Sequence, residues 1–377
     1  MLSSPKSQQH ATRIAFFIPG FVTAVWATIV PFAKHRTGMD EATLGVVLLC
    51  LGIGSLVAMP VAGVLAARQG CRNVMVASTL LMLAMLPLLA LVATPFWLGA
   101  TLLVFGAAMG AMDCTMNVQA VTVERESGRT MMSGFHAFYS IGGFVGAALM
   151  TLMLGLRLQP WFAALLAVVA MVALAAVALR HWRSDRVEQD APTFAVPKGV
   201  VLLIGLLAFV AFLAEGAVLD WSAVFLTEVR QVDPGHAGLG YVVFSLAMTI
   251  TRLLGDALVE RFGRTRSIVL GGMLGGAGFL VATLTPVWQV ALVGYALIGL
   301  GCANVVPALF SLTGLQRAMP ESIAIPAVTT MAYAGVLAGP ALIGFVAYGS
   351  SLVLALVGVA MALFAVALCA PWLRIGN

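Results

Sequence analysis

The sequence predicts an all-α membrane protein of twelve transmembrane helices, arranged as two pseudo-symmetric halves of six. Three observations carry this reading. Of the 377 residues 61% are apolar and only 9% charged, and the mean hydropathy is +1.04. Apolar runs of roughly 20 residues, the length that crosses a bilayer, follow one another almost without a gap. Lysine and arginine crowd into alternate loops.

The first run, 12–33, follows a short polar leader and has no small-residue cleavage site, so it reads as an uncleaved first helix and not a signal peptide. The runs 42–66 and 73–93 flank a short basic turn. The run 96–121 holds Asp113 and Asn117. The run 131–155 opens on His136 and Tyr139 and carries Gly142, Gly143 and Gly146, and 161–180 closes the first half. Residues 181–199 are charged, contain Pro192 and Pro197, and form the longest polar stretch. They are expected to be a cytoplasmic linker between an N-terminal bundle, 1–180, and a C-terminal bundle, 200–377. The second half begins with 200–226, which holds Glu215, Asp220 and Trp221. It continues with 237–259 (Arg252 and Asp256), 267–285 and 288–314 (Asn304 and Phe310). It ends with 322–346, rich in Gly335, Gly339, Pro340 and Gly344, and 350–372.

With the amino terminus placed in the cytoplasm, fifteen of the twenty Lys and Arg residues fall on the inner side. Lys34, Arg36, Arg157 and Arg230 fall outside, and Arg252 lies within a span. This asymmetry obeys the positive-inside rule. It accounts for the net charge of +5 without nucleic acid, and it predicts an inner-membrane protein with both termini cytoplasmic. The five cysteines, Cys50, Cys71, Cys114, Cys302 and Cys369, have neither metal-site nor disulfide spacing and read as small buried hydrophobes. No phosphate-binding or dinucleotide motif appears, nor any catalytic triad. The chain is not expected to be an enzyme or to hold a cofactor or metal.

The two halves repeat. After the second span comes Gly63-Val-Leu-Ala-Ala67-Arg68-Gln-Gly70-Cys-Arg72, and after the eighth comes Asp256-Ala-Leu-Val-Glu260-Arg261-Phe-Gly263-Arg264. These turns resemble the signature loop of the major facilitator superfamily: a glycine, an acidic residue, Arg, any residue, Gly and basic residues. In the first turn Ala67 takes the acidic position and Cys71 a basic one, which weakens the case for a charge-based latch there. The segments Asn117-Val-Gln, Val-Glu124-Arg-Glu126, His136-Ala-Phe-Tyr139-Ser-Ile-Gly142, Ala214-Glu215-Gly-Ala-Val-Leu-Asp220-Trp221 and Tyr333-Ala-Gly-Val-Leu-Ala-Gly339-Pro340 look like the YbjJ type of bacterial inner-membrane transporter. More distantly, Asp113 four positions before Asn117 resembles the fucose–proton symporter branch. The resemblance implies a two-half transporter fold whose first, fourth, seventh and tenth spans line a central pathway, consistent with parallel repeats about a midplane site.

An ionisable group inside a membrane is costly and becomes a functional candidate by default. Glu215 lies about fifteen residues into its span, near midplane at about 1.5 Å per residue. It is the leading candidate for loading and unloading a proton, against the plainer alternative of a packing hydrogen bond. Asp220 and Trp221 sit further outward, suited to binding or to a gate. Asp113 and Asn117, one turn apart, share a helix face and are candidates for substrate and proton; Gln119 and Asn304 are weaker ones. His136 and Tyr139 could relay a proton near neutral pH or simply hydrogen-bond at the interface. Arg252, Asp256 and Glu260 are spaced by four and predict a helical salt-bridge ladder. With Arg68, Arg72, Arg261 and Arg264 they are the candidate gate. Trp26, Phe21, Trp221 and Phe310 could stack on a ring. Trp97, Trp161, Trp182, Trp288 and Trp372 lie near span ends and read as the aromatic belt.

The expected function is secondary active transport of a small polar organic solute, sugar-like, coupled to protons and working by alternating access, from a monomer in the lipid bilayer. A proton-driven multidrug or metabolite exporter and a non-transporting receptor on the same fold are the alternatives.

Overall fold

A computed structural model describes residues 5–127, 131–184, 197–319 and 321–373. Residues 185–196 of the expected linker lie outside them, as do Arg129, Arg186 and Arg374 from the inner-side basic residues. The described residues are almost entirely helical. The first half holds α1 (Pro5–Thr37), α2 (Glu41–Gln69), α3 (Cys71–Leu89), α4 (Pro95–Ser127), α5 (Met132–Gly155) and α6 (Pro160–Ala178). The second holds α7 (Val200–Val224), α8 (Leu239–Leu253), α9 (Gly255–Phe262), α10 (Arg264–Leu284), α11 (Trp288–Cys302), α12 (Val305–Leu315), α13 (Glu321–Gly349) and α14 (Leu352–Cys369).

The local chemistry sets where these helices start and stop. Asp40 caps α2, its carboxylate accepting from the Thr43 amide at 2.7 Å, and hydrogen bonds from Thr43 hold that carboxyl below its usual range. Ser351 caps α14 through the Leu354 amide at 3.1 Å, and Pro160 opens α6, where its missing N–H is no loss. Gly70 and Gly263 end α2 and α9 with φ of +84° and +79°, backbone that L side chains rarely adopt.

Eleven helices among the described residues are long and apolar enough to cross a membrane. The eighth place is taken by α8 and α9, and there the structure differs from the sequence expectation. The run expected over 237–259 turns at Leu254 (φ −97°, ψ 1°) into a second, more polar helix. The tenth span is also interrupted: α11 ends at Cys302 and α12 starts after Asn304 (φ −107°, ψ −2°).

The chain divides into two compact units, Met1–Gln189 with Asp233–Val242, and Asp190–Val232 with Val243–Asn377. In the first, α1 packs along α5, and α4 lies against both α2 and α3, around a core that includes Phe16, Met75, Met112, Phe135 and Trp182. In the second, α7 packs along α13 and α10 along α11 and α14, with Ile204, Ile268, Leu309, Val328 and Val366 in its core.

Backbone approaches at glycine recur in the two units. A Cβ on Gly106 would lie 1.8 Å from the Leu51 carbonyl oxygen, and one on Gly299 would lie 2.3 Å from that of Phe244. Each residue of the second pair follows its counterpart by 193 positions, the difference between 244 and 51. Gly70 and Gly263 are separated by the same interval, as are Gly142 and Gly335, which press on the Phe17 and Phe209 carbonyls. The sequence repeat is thus a repeat of helix-to-helix joints.

The two turn glycines differ in one respect. A Cβ on Gly70 would sit 2.2 Å from the Ser184 carbonyl oxygen, while one on Gly263 would meet nothing within 4 Å. Gly263→Ala should therefore lower stability by the backbone strain alone, about 1–3 kcal/mol. Gly70→Ala should lower it further, read as a lower unfolding midpoint in detergent. Equal losses would remove the Ser184 contact from the account.

Candidate functional site

In the second unit, Glu215 on α7 faces Arg252 on α8. Arg252 Nη2 stands 3.4 Å from Glu215 Oε2, with both side chains mostly buried. Glu215 Oε1 is buried and has no hydrogen-bond partner among the described residues. The sequence ladder put Arg252 with Asp256 and Glu260 along one helix; the structure gives it a partner on another helix. The Asp256 side chain lies outside the described residues, and Glu260 is exposed. The signal for the cross-helix pair was available: Arg252 is the one basic residue within a span, and Glu215 is an acid near midplane of the same half. Opposite charges in a low-dielectric region attract strongly, and each alone would be costly.

The pair lies close to both helix interruptions. Arg252 stands two residues before the α8–α9 bend at Leu254, and Cys302, which ends α11, is buried. Two residues on, Asn304 turns its side chain onto the α8–α9 bend, where a Cβ on Gly255 would lie 2.5 Å from Asn304 Oδ1. Helices broken beside a charged pair resemble the discontinuous elements that line transporter sites. Asn304, a weaker sequence candidate, therefore packs at the bend.

Asp220, five residues beyond Glu215 on α7, is 7% exposed, and no charged group pairs with it among the described residues. Beside it, Trp221 is fully buried, and its Nε1 has no hydrogen-bond acceptor among the described residues. Trp26 in the first unit has the same character: fully buried, with Nε1 unpartnered among the described residues.

The first unit brings Asp113 and Asn117 together on α4 as their spacing required. Asn117 Nδ2 donates to the Asp113 carbonyl oxygen at 2.8 Å and to Asp113 Oδ1 at 3.4 Å. Both residues are half-buried. His136 on α5 is exposed and sets its ring edge-on to Phe16, centroids 5.0 Å apart, while the Tyr139 backbone carries the close approach of Gly20. Both have further polar or ring contacts. Phe21 is buried in α1 and lies against Phe17, with ring centroids 5.9 Å apart. Phe310 packs at the margin of the second unit's core.

Of the gate candidates, Arg68, Arg261 and Arg264 are exposed and Arg72 is intermediate. Arg261 lies over the Phe262 ring at 5.8 Å. In the first turn the Arg72 amide donates to the Arg183 carbonyl at 2.8 Å. Sequence reasoning missed this strap. Trp182, read as a belt residue, is 3% exposed, and its Nε1 donates to the Ala11 carbonyl at 3.0 Å. The Arg183 amide donates to Gln119 Oε1 at 3.0 Å, and Gln119 Nε2 donates to Thr12 Oγ1 at 2.9 Å. Arg183 also pairs with Glu126. Gln119, weighed as a ligand contact, is a clasp between α1, α4 and the segment after α6. That segment holds the first turn, in which Ala67 has displaced the acidic residue.

Among the described residues no group of His, Cys, Asp and Glu could hold a metal ion. The arrangement offers instead a buried carboxylate–guanidinium pair, a second buried carboxylate and a polar acid–amide pair, all on helices.

The chain matches the Major Facilitator Superfamily over residues 13–313. It is 49% identical over 362 residues to an uncharacterized MFS-type transporter of Yersinia pestis, covering 96% of this chain and 94% of that one. It is 32% identical over 362 residues to an uncharacterized transporter of Sinorhizobium fredii, covering 95% and 96%. Its fold superposes on the crystal structure of the nucleoside transporter NupG with a TM-score of 0.77, at 16% identity, covering 98% of this chain and all of that one.

Proposed function

The chain belongs to the major facilitator superfamily of membrane transporters, and from that premise we propose that it couples the passage of a small polar organic solute to protons. The observation that carries this reading is the Glu215–Arg252 pair, with its second carboxylate oxygen buried and unpartnered among the described residues. An unsatisfied charged oxygen in low dielectric is costly. A proton on Glu215 removes the charge that holds Arg252, and so biases one arrangement of α7 against the α8–α9 bend. Asp220 is a second proton site, without a cation beside it. Asp113 and Asn117 supply an acceptor and a donor for hydroxyl groups of the solute. Trp26 and Trp221, each within its own unit, are the further candidates for solute contact, and His136 and Tyr139 those for proton relay. Alternating access follows if proton and solute each bind one of two states better than the other, since the two are then coupled reciprocally. Asp256, Glu260, Arg261 and Arg264, with Arg68 and Arg72, stabilise closure on the inner side. The charge distribution supports an inner-membrane orientation with both termini cytoplasmic, and in this reading the protein works as a monomer.

The solute is sugar-like in this reading. One fold neighbour is named a nucleoside transporter, and a nucleoside is itself a sugar-bearing polar solute. The test is uptake by proteoliposomes under an imposed pH gradient, against sugars, nucleosides and lipophilic cations. Uptake of a sugar or nucleoside that collapses with the gradient, and that Asp113→Ala reduces at least tenfold (about 1.4 kcal/mol), is the expected result. Transport of lipophilic cations alone, or uptake indifferent to the gradient, would overturn it.

A further inference from the structure

On the first unit, α2 and α3 stand apart over α4 and leave a groove of about 550 Å³, a size within the roughly 300–1,000 Å³ of small-molecule sites. Along α2 it runs from Ile53 to Gln69, about 24 Å at 1.5 Å per residue. Val57, Val61, Leu81 and Leu103 wall it, and Val57 and Val61 are 65% and 55% exposed. Polar groups gather at one end, where Gln69 and Asn73 meet at the α2–α3 turn. Arg68 lies seven residues beyond Val61, and so on the same helix face. It is exposed and has no side-chain partner among the described residues. The turn from Ala67 to Asn73 holds Arg68 and Arg72 and no acid.

A groove that is apolar along its length, with Gln69 and Asn73 at its tip and Arg68 exposed next to them in the chain, does not suit the polar solute proposed above. It matches an amphiphile with a hydrocarbon tail and an anionic head. We propose that it binds an anionic phospholipid, with one acyl chain along Val57, Val61 and Leu103 and the phosphate at Arg68 beside the amides of Gln69 and Asn73. Basic residues next to a membrane surface attract such lipids. The absence of an acid at position 67 leaves Arg68 available to do so.

The test uses the purified full-length protein and native mass spectrometry, with phosphatidylglycerol and phosphatidylcholine of matched chains at equal concentration. Wild type should retain phosphatidylglycerol by about fivefold, the ratio equivalent to ~1 kcal/mol per arginine at an anionic lipid surface. Arg68→Gln should bring the two lipids to parity. Val57→Phe or Ala77→Phe, each filling the groove at an exposed position, should lower retention of both. Glycerol phosphate in large excess should leave the lipid bound. The proposal fails if wild type shows no preference, if Arg68→Gln keeps it, or if both groove-filling variants bind as wild type does. It fails also if glycerol phosphate displaces the lipid, which would assign the tip to a soluble phosphate. None of these readouts involves transport, so they stand or fall apart from proton coupling.

Discussion

Glu215→Ala, with Arg252 left in place, should destabilise the protein by about 3–5 kcal/mol and abolish proton-linked uptake, because it strands a guanidinium within the helices. Arg252→Ala should do the same by stranding the carboxylate. The double substitution Glu215→Leu with Arg252→Met should recover most of the stability, since well-packed apolar residues often replace a buried pair at little cost. It should not recover transport. A double-mutant cycle on the unfolding midpoint isolates the pairwise energy, and a pH-sensitive dye trapped in proteoliposomes reads proton movement. If either single substitution left stability unchanged, the pair would be of no energetic consequence. If the double variant transported with full proton dependence, the coupling role would belong elsewhere, with Asp220 next in line. Asp220→Asn keeps the shape and removes the acid, so it separates the two sites: it should reduce proton movement with little loss of stability.

The second large effect concerns the glycine joints. Gly106→Ala and Gly299→Ala each put a methyl group within 2.3 Å or less of a carbonyl oxygen on the neighbouring helix. Neither backbone can yield without the helices parting, so each should cost at least the roughly 1–3 kcal/mol typical of overpacking. Small residues are what allow such approaches in membrane bundles. Gly358 on α14 is the control. A Cβ there meets nothing within 4 Å, and Gly358→Ala should stabilise by up to about 1 kcal/mol through helix propensity. Thermal unfolding of the three variants in one detergent decides the matter. Parity between Gly106→Ala and Gly358→Ala would contradict the packing.

The spans were legible because hydropathy is a local, additive property, and the basic turns marked their ends. The bends at Leu254 and Asn304 were not. A window average over an apolar run does not register one residue leaving helical geometry. The Arg252 ladder shows a different limit. Spacing by four guarantees neighbours on one helix, but it does not reveal a partner on another helix, and Glu215 on α7 is one such partner of Arg252. That Asn117 and Asp113 share a helix face was legible because their contact is local to one turn. Trp182 was misread for the opposite reason. Its place at a span end suggests an interface, yet the chain after α6 folds back and seats it beneath α1. Trp97 and Trp372 are more than half exposed and fit the belt.

The 193-residue interval has a bearing on how such a chain could change its cargo. Counting back from Arg252 reaches Met59, and from Glu260 it reaches Ala67. The glycine joints thus recur in both copies and Arg261 keeps a basic counterpart in Arg68, while Arg252 and Glu260 have no ionic counterpart. On the proposed function, a lineage built this way can revise the surface around Asp113 and Asn117 by ordinary drift while the proposed proton site in the other copy stays as it is.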